Sequence, residues 1–96
     1  MINSLAALKR ALEPGKVLKV VDHSRKELIG TERTVDLTQT NGYWFTQPGD
    51  IPPKRWWAEF PKASAFEFHE DGTFSMIFDK GTDTRPPIFA RLAFIS

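Results

Sequence analysis

The chain contains no cysteine, so it has neither a disulfide framework nor a thiolate nucleophile or ligand. It has no run of about eighteen apolar residues, the length that a membrane-spanning helix needs. Only two histidines occur, His23 and His69, far apart in sequence. A zinc site needs three or four ligands at workable spacing, and two distant histidines without cysteine do not supply them. Gly30, Gly42 and Gly49 are isolated and none precedes a helical pattern, so no phosphate-cradling loop is present. Glu70-Asp71 is too short for a calcium loop and lacks its ligand spacing. No cofactor or metal is therefore expected. The first ten residues lack the basic start and long apolar stretch of a secretory leader, and the expectation is a cytoplasmic protein.

What the chain has is aromatic bulk. Eight Phe, three Trp and one Tyr among 96 residues must fill much of a small core. Formal net charge is +1, and the balance drifts along the chain. Residues 1–35 carry seven Lys or Arg against four Asp or Glu, and residues 63–96 carry three against five. A dedicated duplex binder would carry a stronger basic excess.

The whole chain, 1–96, reads as one domain. Leu5, Leu8 and Leu12 recur at helical spacing, with Asn3 or Ser4 as cap and Pro14-Gly15 as stop, which predicts a helix over about 3–12. From residue 16 the pattern alternates instead. Strands are expected at Lys16–Asp22, Leu28–Thr38, Tyr43–Phe45, Arg55–Phe60, Ala65–His69, Thr73–Asp79 and Ile88–Ile95. Asn41-Gly42 marks one hairpin, through residues that tolerate positive φ, and Glu70-Asp71-Gly72 a second. In the second strand Ile29, Val35 and Leu37 should share one face. The fold class is thus mainly β (α+β): a helix followed by a strongly bent antiparallel sheet, or an SH3-like barrel, of about six or seven strands. An OB-like barrel is the second choice.

The chemistry-bearing residues are few. Asp22-His23-Ser24 holds the three residue types of a hydrolytic triad, but consecutive side chains diverge and cannot form its relay. His69 precedes a turn and reads as a strand end; a carboxylate- or His69-based activity in a cleft is the minor enzymatic alternative. The aromatic run Tyr43-Trp44-Phe45 and the mixed run Lys54-Arg55-Trp56-Trp57 point instead to recognition. Trp and Arg together make protein hot spots, and the same pair can stack a base and hold a phosphate. The candidate partner-binding residues are Trp57, Arg55, Lys54, Trp44 and Tyr43, next to the proline-stiffened loop 47–53. Neighbouring strand residues face opposite ways, so Trp56, Ala58 and Phe60 should face the core and Trp57 should be exposed.

The stretch from Leu8 to Val21 with Leu12, Pro14-Gly15 and Val17, then Ile29-Gly30, Arg33, Gln39-Thr40-Asn41-Gly42 and Phe60-Pro61-Lys62-Ala63-Ser64, resembles small proteins of bacteriophages and other mobile elements. The resemblance spans about residues 5–80 and carries no catalytic residue. It implies an accessory or inhibitor protein that binds and blocks a host protein, as anti-CRISPR proteins do. The alternative is a single-stranded nucleic-acid-binding barrel using Lys16, Lys19, Arg25, Lys26, Arg33, Lys54 and Arg55.

Overall fold

In the computed structural model, which describes residues 2–96, Ser4 starts the helix: its Oγ accepts the Ala7 N–H at 3.1 Å. Helix α1 spans Leu5–Ala11, with Lys9 and Arg10 in its last turn, where cations suit the helix dipole. Seven residues are too few for an isolated helix in water, so packing must hold it. Leu8 and Leu12 provide that packing and are essentially inaccessible. Thr38 Oγ1 donates to the Leu12 carbonyl at 2.6 Å and ties the helix end to the sheet. No helix among the described residues is long and apolar enough to cross a membrane.

Seven strands follow: β1 (Val17–His23), β2 (Glu32–Gln39), β3 (Gly42–Thr46), β4 (Trp56–Glu59), β5 (Phe66–Phe68), β6 (Phe74–Asp79) and β7 (Ile88–Phe94). They form one antiparallel sheet in the order β4-β3-β2-β1-β7-β6-β5. Two meanders therefore meet along the β1–β7 pair. The two edge strands, β4 and β5, are consecutive in the chain and joined by residues 60–65, so the sheet's ends must lie close. Phe60 and Phe66 meet there edge to face, with ring centroids 5.9 Å apart. The sheet curls around a core of Leu8, Leu18, Val35, Tyr43, Phe74, Leu92 and their neighbours, but no ladder joins β4 to β5. The result is the expected strongly bent sheet, left open along one seam. Each fully buried large apolar side chain contributes roughly 1.5–3 kcal/mol to holding it.

Register irregularities correct several expected faces. The β2–β3 ladder pairs Val35 with Phe45 but Leu37 with Trp44, so Asp36 is an extra residue. The bulge turns Leu37 away from the core, and it is exposed instead of sharing Val35's face. The strand expected from Leu28 begins only at Glu32; Lys26–Leu28 is a 3₁₀ turn, Gly30 has φ +91°, and Ile29 is exposed. A shift between Val20 and Asp22 likewise sets His23 opposite Ala90 on the inner face.

The first hairpin forms where expected, for a different reason. Gln39 pairs with Gly42, leaving Thr40-Asn41 as the turn, and among the described residues no non-glycine has positive φ. Gly42 is the first residue of β3, not a turn residue. The second hairpin does use its glycine, at φ +88°. There Asp71 Oδ1 accepts from the Thr73 N–H at 3.0 Å and from Thr73 Oγ1 at 2.6 Å.

Candidate partner-binding surface

The regular β3–β4 ladder sets Trp44 opposite Trp57 on the outer face. Their ring centroids are 5.1 Å apart and the planes tilt by 52°. Leu37, turned outward by its bulge, lies opposite Trp44 from the other side, so Leu37, Trp44 and Trp57 form one apolar row across β2, β3 and β4. Trp57's ring covers Gly42: a Cβ at that position would stand 2.7 Å from Trp57 Cζ2. Beyond the ring a shallow hollow of about 470 Å³ is lined by Gln39, Thr40, Asn41 and Trp57.

Arg55 braces the same row. Its guanidinium carbon lies 4.8 Å from the Trp44 ring centroid, and its Nε bonds Asp36 Oδ2 at 2.7 Å. Asp36 is the bulged residue, so one irregularity supplies both the exposed Leu37 and the arginine's counter-ion. An exposed cation–π contact contributes about 0.5–1 kcal/mol and a half-exposed ion pair about 0–1 kcal/mol. Together they hold Arg55 and Trp44 in one arrangement before any partner arrives.

Trp56 is not the core plug the sequence predicts. It is 36% exposed against 38% for Trp57, although the two face opposite sides of the sheet. Trp56 opens β4 opposite the buried Phe45, but it lies outside the hydrophobic cluster. Its polar neighbours come from the adjoining loop: Nε1 donates to Asp50 Oδ2 at 2.8 Å, and Lys54 Nζ sits 3.7 Å from the ring centroid. Ala58 and Phe60, expected on the inner side with it, do pack on the core.

Tyr43 leaves the candidate surface. It pairs with Ala58 and Thr38, is wholly buried, and packs on Phe45 and Phe60 at centroid distances of 5.8 and 6.0 Å. Burial raises its phenol pKa, while the nearby Arg33 charge and hydrogen bond pull the other way. Lys54 lies with Trp56, so Trp44, Trp57 and Arg55 are the members of the expected set that the fold brings together.

The cations expected to hold nucleic acid do not form a track. Arg33 is buried, Arg25 pairs with Glu27 at 3.1 Å, Lys26 with Asp22 at 3.7 Å, and Arg55 with Asp36.

Sequence reasoning missed one close pair. His69 Nε2 lies 2.8 Å from Ser75 Oγ in an outer-face groove of about 430 Å³, also lined by Asp22, Glu67 and Arg91. Only the β5–β6 register brings them together, with Glu67 directly opposite Ser75. Among the described residues no carboxylate is hydrogen-bonded to the His69 ring, so the pair lacks the orienting member of a triad. Also among them, no three His, Asp or Glu side chains are grouped as a metal site would need. No protein-family model, curated protein or solved structure matches the chain.

Proposed function

We propose that this protein is a non-catalytic interaction module: a small accessory or inhibitor protein of a bacteriophage or other mobile element that binds a host protein. The observation that carries the reading is the outer-face row Leu37–Trp44–Trp57, braced by Arg55 and seated on Gly42. Aromatic rings beside an arginine, already fixed in place, are what hot spots are made of. Fixing them beforehand lowers the ordering cost of association. The row ends on β4, an edge strand whose outer backbone groups pair with no other strand, so a partner can extend contact along the edge.

The arrangement of charge favours a protein partner over a nucleic acid. Arg55 is already neutralised by Asp36, and the other cations are paired, buried or scattered. The test is affinity capture from host lysate with and without nuclease, repeated with the Trp57→Ala/Arg55→Ala double variant. A stoichiometric protein retained after nuclease and lost with the double variant is the expected result. Capture unchanged by the double variant rejects this surface, and capture abolished by nuclease rejects the protein partner.

A further inference from the structure

Arg33 is buried to 8% exposure and makes no ion pair among the described residues. By contrast, Arg25, Arg55, Arg85 and Arg91 each have a carboxylate within 3.1 Å. The Arg33 guanidinium carbon lies 4.6 Å from the Phe45 ring centroid, and Nη1 donates a long hydrogen bond to Tyr43 Oη at 3.3 Å. Its Nε is buried with no acceptor among the described residues. Buried charges are ordinarily paired, because an uncompensated one loses its hydration for nothing in return.

The missing partner has a place to sit. Arg33 lines a cavity of about 200 Å³ at the open seam of the sheet. Its apolar wall is Phe45, Trp57, Ala58, Met76, Phe78 and Ala90. Met76 is the last β6 residue that pairs with β5, so beyond it the seam between β4 and β6 is uncovered. His23 contributes a second donor. Its Nδ1 accepts the Arg25 N–H at 2.9 Å, which leaves the proton of the neutral ring on Nε2. The one carboxylate on the wall, Glu59, makes no ion pair among the described residues.

We propose that this cavity binds a single carboxylate carried on a short apolar or aromatic stem, with Arg33 as its counter-ion. The volume equals about six or seven waters at about 30 Å³ each, and falls below the roughly 300–1,000 Å³ of drug-sized pockets. That admits one ring with its acid group and excludes a nucleotide. Apolar walls suit the stem, one guanidinium suits one negative charge, and Glu59 repels a dianion. The same carboxylate can come from a free small acid or from an acidic side chain of a protein. The proposal does not rest on the outer-face surface.

The probe is sodium benzoate, with benzamide as its neutral counterpart and the capped peptide acetyl-Ala-Glu-Ala-amide as the side-chain source. Arg33 Nε–H and the His23 ring are followed by NMR. Saturable shifts of both with benzoate, at least about tenfold weaker with benzamide, are expected. Saturation by the peptide and not by benzoate assigns the same site to a protein side chain. Arg33→Met should keep the amide dispersion and lose the binding, while Arg33→Lys should bind more weakly than the parent. If Arg33→Met does not fold, the benzoate–benzamide comparison on the unaltered protein decides. Equal binding of benzamide and benzoate overturns the proposal, as does an Arg33 Nε–H unmoved by benzoate and peptide alike. A fall in Tm on Glu59→Gln with no carboxylate binding also overturns it, by giving Arg33 a partner within the chain.

Discussion

Gly42 and Trp57 are a close pair: a Cβ at 42 would stand 2.7 Å from the indole Cζ2, after first meeting the Ala58 backbone carbonyl oxygen of the same strand β4. Position 42 has ordinary strand backbone, so its glycine answers to close approach and not to a turn. Gly42→Ala should therefore cost about 1–3 kcal/mol through overpacking, pushing β4 away at the Ala58 carbonyl and displacing the Trp57 ring with it. Urea unfolding measures the cost. A red-shifted tryptophan emission reports the displacement, and an unchanged spectrum and midpoint would refute the pairing.

Leu8 carries the attachment of α1, since it is wholly buried on a two-turn helix that cannot persist alone. Leu8→Ala should cost about 2–5 kcal/mol. The urea midpoint should fall accordingly, and a change below about 1 kcal/mol would show the helix to be dispensable to the core.

Arg55 and Asp36 should matter far more to binding than to folding. Their side chains are 50% and 46% exposed, so solvent screens the pair. Arg55→Ala should change stability by less than about 1 kcal/mol, while weakening the captured partner by more than about tenfold. A double-mutant cycle with Asp36→Ala separates bracing from direct contact, because a purely bracing arginine loses nothing further once Asp36 is gone.

Two groups contribute to the acid limb of stability. Burial, then the charges of Arg33 and Arg25, lower the His23 pKa below 6.5, against Glu27 and Asp22, which raise it. The folded state therefore favours the neutral ring. That contribution is complete above the unfolded pKa and is lost as pH falls through the lower folded one. Asp71 behaves alike at lower pH: hydrogen bonds from Thr73, then the Arg91 charge, depress its carboxyl pKa, and its contribution disappears as pH falls through the depressed value. His23→Gln should flatten the fall in stability below pH 6.5, and Asp71→Asn the fall below about pH 4. Histidine NMR titration checks the first directly: a His23 midpoint at or above 6.5 contradicts it.

The sequence makes most of this architecture legible and little of the site. Ser4, Leu5, Leu8 and Leu12 mark the helix, because capping and spacing are local physics. Valine and aromatic alternation marks the strands for the same reason. Alternation cannot show where it skips. The extra residue at Asp36 is invisible until β2 meets β3, and it decides that Leu37 joins Trp44 instead of Val35. Alternation divides Trp56 and Trp57 between the two faces, but facing inward is not the same as being buried. At the first residue of β4 the inward ring lies opposite the buried Phe45 yet outside the core cluster, held by Asp50 and Lys54. Residue type suggests a surface cation at Arg33, but it has the parity of Val35, and that parity carries it inside.

The unjoined seam has a mechanical consequence. In a closed barrel, any widening must break a ladder. Here β4 and β5 can part without breaking a ladder, by loosening side-chain contacts across the seam, the Phe60–Phe66 pair among them. The six residues from 60 to 65 act as a tether that limits the gape without latching it. Amide exchange should be fastest along β4 and β5 and slowest along β1 and β7, so the molecule yields along one line while its spine stays rigid.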